Sequence, residues 1–184
     1  FNSFILPCLY TINAEFTPKT NINAYIICNW LHAPNKDATI YICDKIVPRT
    51  NIKFYIVGKH PPKEIVSRAS EKIIICGAEY RLNTFLSNMS MCLAPTLYGA
   101  GINGKIGEAL AYGIPVVTTT LGALPYKLVH KESVMIGDDE DSYVNCVNDL
   151  LTKNGLKEKL SSNGKIIMTK FTSDYYRESF LNFI

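Results

Sequence analysis

The sequence predicts an α/β domain built on a doubly wound parallel sheet flanked by helices. Six short apolar runs, at residues 24–30, 53–58, 72–77, 91–95, 114–119 and 133–137, are near-continuously apolar rather than alternating. That is the pattern of parallel strands covered on both faces. Between them, residues 35–47, 62–70, 81–88 and 103–112 carry apolar side chains at helical spacing. Pro48, Gly58, Gly77, Gly113 and Gly137 punctuate the joins.

In chain order, residues 1–21 contain Pro7 and Pro18, follow neither period and read as an entry segment or linker. Run 24–30 leads into helix 35–47. Run 53–58 stops at Gly58 before helix 62–70, and run 72–77 stops at Gly77 before helix 81–88. Run 91–95 opens into a glycine loop and helix 103–112, and runs 114–119 and 133–137 complete the repeat. Repeated strand–helix units of this kind wind right-handed into one parallel sheet. The rhythm then changes. The acidic stretch 138–141 suits a helix N-terminus. Tyr143, Val144, Val147, Leu150 and Leu151 mark the apolar face of the helix that follows. A second helix follows Asn154, and residues 172–184, rich in Tyr and Phe, read as a third. In open sheets of this class, ligands sit outside the carboxyl ends of the strands. The segments after Trp30, Gly58, Gly77, Pro95 and Thr119 are therefore those to read for function.

Composition narrows the classes. With 184 residues, 47% hydrophobic and 19% charged, the chain makes a packed core and not a disordered segment. A net charge of +3 without Lys/Arg blocks argues against nucleic acid as a partner. No apolar run approaches the roughly 18–20 residues of a membrane span, and a signal-peptide order is not seen at the N-terminus. The chain opens on Phe1 rather than Met, which leaves upstream segments open. Six cysteines occur singly, three of them (Cys28, Cys76 and Cys92) inside apolar runs, so neither a metal site nor a disulfide scaffold is expected. A reducing, cytoplasmic setting is the expectation.

The richest stretch is 95–110, where a strand ends, a glycine loop follows and a helix begins. Glycines expose backbone N–H groups, and a helix N-terminus adds partial positive charge, so the pair favours phosphate. Gly99, Gly101 and Gly104 spell G-x-G-x-x-G, but they come after earlier strand–helix units and the next strand ends in Thr118-Thr119-Thr120, without the acidic residue a dinucleotide fold places on the ribose. Gly99 to Lys105 also spells G-x-x-x-x-G-K, yet Ile106 stands where a P-loop needs a hydroxyl for magnesium. A third reading takes the loop with its helix. Lys105 and Glu108, three apart, share a face near the helix start. The lysine can meet phosphate and the carboxylate can accept from ribose hydroxyls; the bland alternative is an ion pair between the two.

The chain resembles the C-terminal, nucleotide-binding domain of the retaining family 4 glycosyltransferases, which have the two-domain GT-B fold. The resembling residues are Ile26-Ile27-Cys28-Asn29-Trp30 with Pro34-Asn35 and Asp37-Ala38, Phe54-Tyr55-Ile56-Val57-Gly58 with Pro61-Pro62, and Ile75-Cys76-Gly77 with Leu93-Ala94-Pro95. The densest match is Gly99-Ala100-Gly101-Ile102, Lys105-Ile106, Glu108-Ala109 and Gly113-Ile114-Pro115-Val116-Val117-Thr118-Thr119. The resemblance implies a Rossmann-like donor domain over residues 22–171. It also implies a terminal helix at 172–184 that crosses to an N-terminal, acceptor-binding domain.

It further implies hexosyl transfer from a nucleoside-diphosphate sugar, with retention and without a bound metal or cofactor, in carbohydrate biosynthesis. Carried onto matching positions, Glu108 takes the ribose, and Gly99, Ala100, Gly101, Ile102, Asn103 and Lys105 face the diphosphate and sugar. Gly77, Ala78, Glu79 and Tyr80 meet the base, which is uracil or guanine, so UDP- and GDP-sugars both stay open. Lys59 and Asn29 are further phosphate contacts. Lys105 and Glu108 are the residues expected to carry catalysis, Lys105 with the backbone amides by stabilising charge on the leaving diphosphate and Glu108 by holding the donor ribose.

Two departures stand out. Ala100 occupies a position where the family often has a glutamate, and Asn29 with Pro34-Asn35 stand where it often has a basic pair, His32 and Lys36 lying only nearby. They leave open a non-catalytic nucleotide-sugar-binding or scaffold subunit, and a sugar-nucleotide epimerase on the same fold. His32, His60 and His130 are isolated; only His32 sits at the ligand end of the sheet.

Overall fold

Apolar runs of both faces account for the architecture. The computed structural model describes residues 8–79, 81–99 and 101–181. Among these, strands β1 (Asn23–Ile27), β2 (Lys53–Val57), β3 (Ile73–Gly77), β4 (Met91–Leu93), β5 (Val116–Thr118) and β6 (Met135–Ile136) form one sheet in the order β3-β2-β1-β4-β5-β6. Every pairing is parallel. Successive side chains of a strand point to opposite faces, and both faces here are covered. Ala24 and Ile26 enter one core with Met91, Leu93 and Val117, while Tyr25, Cys92 and Val116 enter the other.

The first face is closed by helix α1 (Ala33–Tyr41), its wide continuation Ile42–Ile46 and helix α6 (Glu140–Thr152), through Ile42, Ile46, Tyr143 and Val147. The second is closed by α3 (Leu82–Leu86), α4 (Gly104–Tyr112) and α7 (Leu156–Met168), through Leu86, Ile106, Leu110 and Met168. Helix α4 packs along α7. It ends on Gly113 at φ +89°, a left-handed cap that L-residues with a Cβ rarely adopt. Helix α6 begins with a capping box in which Asp139 accepts from the Ser142 N–H.

Several boundaries differ from the sequence reading. Helix 35–47 begins at Ala33, where Pro34 suits the first turn, and after Tyr41 it widens before a 3-10 turn at Val47–Arg49 that accommodates Pro48. The expected helix 62–70 is only α2 (Lys63–Val66). Beyond it the Ser67 hydroxyl returns to the Glu64 carbonyl, and Ser70 pairs with Ile73 to turn the chain into β3. The strands are shorter than their apolar runs, most of all β6. Helix α5 (Thr120–Ala123), with a 3-10 turn at Leu124–Tyr126, fills a stretch that carried no expectation.

The described part of the entry segment is docked. Tyr10 N–H bonds to Phe171 O and Asn13 N–H to Ala111 O, and Phe16 is buried with its ring 5.1 Å from that of Tyr112. Lys157, 7% exposed, gives its ammonium to the carbonyls of Lys19 and Asn21. Helix α8 (Ser173–Leu181) closes the described chain. No helix among the described residues is long and apolar enough to cross a membrane.

Candidate functional site

The strand order places β1 beside β4, and the chain leaves these two strands in opposite directions, towards β2 and towards β5. A crevice opens outside the carboxyl ends at such a switch point. Here it is a cleft of about 490 Å³. Asn29, His32 and Asn35 line it from the β1 side, and Thr96, Tyr98, Gly99, Gly101, Ile102, Asn103, Lys105 and Glu108 from the β4 side.

The floor on the β4 side is laced to β5. Thr118 Oγ1 donates to Ala94 O at 2.7 Å, and Thr119 Oγ1 donates to Thr96 O at 2.8 Å while accepting from Thr96 N–H. The chain then turns through Gly99 (φ +108°) and Gly101 (φ +91°), left-handed values that suit glycine. Asn103 is the N-cap of α4, yet its side chain makes no cap; its amide donates to Thr96 Oγ1 instead. The Asn103 carbonyl accepts from Tyr126 OH at 3.1 Å, and Tyr126 OH is itself held by Tyr10 OH at 2.9 Å. The first N–H groups of α4 are thus left without a side-chain acceptor at the edge of the cleft. With the helix dipole they make a ready anion site.

Two side chains from α4 enter this space. Lys105 Nζ donates to Asn35 Oδ1 at 2.6 Å across the cleft, and it forms no ion pair with a carboxylate among the described residues. The Lys105–Glu108 ion pair is therefore not formed. Glu108 is half-buried with no hydrogen-bond or ion-pair partner among the described residues, and burial pushes its carboxyl above the usual carboxylate range. A partly desolvated carboxylate without a donor is an open acceptor. Across the cleft mouth, the Tyr98 hydroxyl donates to the Asp37 carboxylate and ties the glycine loop to α1.

The structure brings together Asn29, Gly99, Gly101, Ile102, Asn103, Lys105 and Glu108. Asn29 shapes the loop after β1: its Oδ1 accepts from Leu31 N–H and its carbonyl from Asn35 Nδ2. Gly77, Ala78 and Glu79 do not line the cleft. They lie at the end of β3, two strands from β1 at about 4.8 Å per strand. Glu79 Oε1 already accepts the Arg81 N–H at 2.7 Å. Lys59 also lies outside the cleft lining. Tyr80 and Ala100 fall outside the described residues. His32 lines the cleft, whereas His130 is structural, its Nδ1 accepting the Ile136 N–H. Sequence reasoning missed Asn35 as the anchor of Lys105, and the Tyr98–Asp37 tie. The described residues hold no group of three metal-ligating side chains. Burial pushes the Cys43 and Cys92 thiols up to about 12, which removes them as nucleophiles.

The family described as "Glycosyl transferases group 1" matches residues 25–153. Among curated proteins no sequence match is found. Solved structures align over most of the chain. TarM of S. aureus, a mutant form in complex with Fondaparinux, alpha-GlcNAc-glycerol and UDP, is 17% identical with a TM-score of 0.74, covering 96% of this chain and 38% of that one. HepE of Anabaena, in complex with UDP and glucose, is 13% identical with a TM-score of 0.67, covering 88% of this chain and 48% of that one. The C-terminal domain of LpcC, a glycosyl transferase group 1 family protein from Francisella tularensis, is 14% identical with a TM-score of 0.64, covering 85% of this chain and 88% of that domain. At these identities the likeness concerns the fold. The chain spans under half the length of TarM and HepE.

Proposed function

The chain belongs to the group 1 glycosyl transferases, and on that premise we propose that residues 22–171 are the donor-binding domain of a retaining, metal-independent hexosyltransferase of the family 4, GT-B type. The observation that carries this reading is the convergence, in one cleft at the switch point, of an uncapped helix N-terminus, an uncompensated lysine and an unpartnered carboxylate. These are the three groups a nucleoside diphosphate needs. The diphosphate lies against the backbone amides of 101–104 and the Lys105 ammonium. The ribose hydroxyls donate to Glu108, and the base reaches along the strand ends towards Gly77, Ala78 and Glu79. A second domain carrying the glycan or other acceptor completes the enzyme, with α8 as the element that extends towards it.

In this reading the chain's contribution to transfer is electrostatic. Charge grows on the diphosphate as the sugar departs, and the α4 N-terminus with Lys105 stabilises that charge more than it stabilises the ground state. The amides are fixed before reaction, because Asn103 is held by Tyr126 and Thr96, so little reorganisation is needed. TarM and HepE were each solved with UDP, which makes UDP the first probe. Calorimetric titration of the chain with UDP, GDP and ADP tests the proposal. Selective binding of one diphosphate, weakened by both Lys105→Ala and Glu108→Ala, is the expected result. A chain that binds none of the three, or binds one equally well after both substitutions, rejects it.

A further inference from the structure

We propose that Asn35 is a positioning residue: it holds the Lys105 ammonium over the cleft through a neutral acceptor, so that the cation is ordered yet keeps its full charge for a phosphate. The inference rests on the donor-site reading above and adds to it the residue that makes Lys105 effective.

Lys105 sits in the first turn of α4, and its long side chain samples many rotamers when free. An unheld lysine at a cleft edge spreads over solvent, and a ligand must then order it at binding. Here the 2.6 Å bond to Asn35 Oδ1 has already done so. The carboxamide is itself locked. Its Nδ2 donates to Asn29 O at 2.8 Å, so a flipped amide loses that bond and turns its NH2 towards an ammonium. The backbone beneath it is fixed as well, Asn35 N–H bonding to His32 O at 3.0 Å and Asn35 O accepting from Thr39 Oγ1 at 2.8 Å.

Chemistry explains why an amide serves better than a carboxylate here. An Asp at this distance would order Lys105 equally well, but it would neutralise it and would set a negative charge beside the diphosphate. The other carboxylates near the cleft are disposed consistently: Asp37 is engaged by Tyr98, and Glu108 makes no ion pair with Lys105. The bond also joins residues 70 positions apart, from the two sides of the switch point. It therefore couples the start of α1, which follows β1, to the start of α4, which follows β4, and it forms only when β1 and β4 are neighbours.

The test measures dissociation constants of the full 184-residue chain for UDP and uridine, by calorimetry and ligand-observed NMR, for wild type, Asn35→Asp, Asn35→Ala, Lys105→Met and the Asn35→Ala/Lys105→Met pair. Uridine carries no phosphate, so its affinity reports an intact, folded site. Asn35→Asp is expected to weaken UDP at least about tenfold, the effect of one lost charge-assisted contact. Asn35→Ala is expected to weaken it about threefold to tenfold. Uridine affinity stays within about twofold throughout. In the Lys105→Met background, Asn35→Ala has no further effect, because the group it positions is gone. The inference is overturned if Asn35→Ala weakens UDP as much without Lys105 as with it, if uridine is lost in parallel, or if Asn35→Asp binds UDP like wild type. Wild-type chain that prefers UDP to uridine while the Asn35 variants match it rejects the role of Asn35 alone. Wild-type chain without that preference rejects the donor-site reading, and this inference with it.

Discussion

Replacing Glu108 by Gln is expected to strengthen the fold and weaken donor binding in the same protein. Glu108 is half-buried on α4 without a hydrogen-bond or ion-pair partner among the described residues, and burial raises its pKa. A raised folded-state pKa favours the fold fully at pH below the unfolded value, and that advantage is lost as pH rises through the folded value. Wherever the carboxyl is ionised, the chain carries an unpaired, partly desolvated charge. Gln keeps the shape and removes the charge, a relief of about 1 kcal/mol, within the range of single stabilising substitutions. For a chain of this length that is a rise of roughly 2–4 °C in Tm. The gain shrinks as pH falls through the Glu108 pKa, where the wild-type carboxyl is itself neutral. On the ligand side, a hydrogen bond to a charged acceptor contributes about 1.5–3 kcal/mol. An amide retains part of it, so a loss near the lower figure weakens UDP roughly tenfold. Thermal melts of both proteins from about pH 5 to about pH 8, with UDP titrations at neutral pH, decide the matter. A lower Tm for Glu108→Gln at neutral pH would mean that the carboxylate is structurally paired. A higher Tm with unchanged UDP affinity would mean that it is not the ribose acceptor.

Other expectations follow from single contacts. A Cβ on Gly122 collides with Thr118 Oγ1 and lies 2.8 Å from Thr96 Oγ1. Gly122→Ala is accordingly expected to cost about 1–3 kcal/mol, seen as a lower urea midpoint, and to loosen the threonine lacing under the glycine loop. Lys157→Met removes the donor to two carbonyls of the entry segment and is expected to cost about 1–3 kcal/mol and to speed proteolysis before β1. His130 must be neutral to accept the Ile136 N–H, and burial lowers its pKa. Its contribution is full above the unfolded value of about 6.5 and is lost as pH falls through the lower folded value. His130→Ala should therefore flatten the acid side of a plot of urea midpoint against pH.

The parallel sheet was legible because its signal is local. A strand buried on both faces reads as a near-continuous apolar run, and all six strands fall inside their runs but for Asn23 at the start of β1. Boundaries were less legible where side chains compete with the backbone. Ser67 and Ser70 end α2 early, and the short α5, started by Thr119 accepting from Gly122 N–H, has too few residues for a helical period to show. In the site, the glycine loop and the α4 N-terminus could be read because they are contiguous in sequence. The Lys105–Asn35 bond could not, since it needs β1 beside β4, and strand order is not written in any one segment. The same holds for Tyr98 with Asp37, and for Lys165, whose ammonium grips the Phe16 carbonyl at 2.9 Å from a helix nearly 150 residues away. The alternation of exposed and buried residues says that such side chains lie at a surface, and says nothing of what they meet there.

Whether the switch-point cleft holds a nucleoside diphosphate is decided by a structure of the chain with UDP. The diphosphate is expected against the backbone amides of 101–104 with Lys105 Nζ on a phosphate oxygen, and the ribose hydroxyls on Glu108. Density for UDP elsewhere on the domain, or in the cleft with the ribose turned away from Glu108 and the phosphates away from the start of α4, would contradict it.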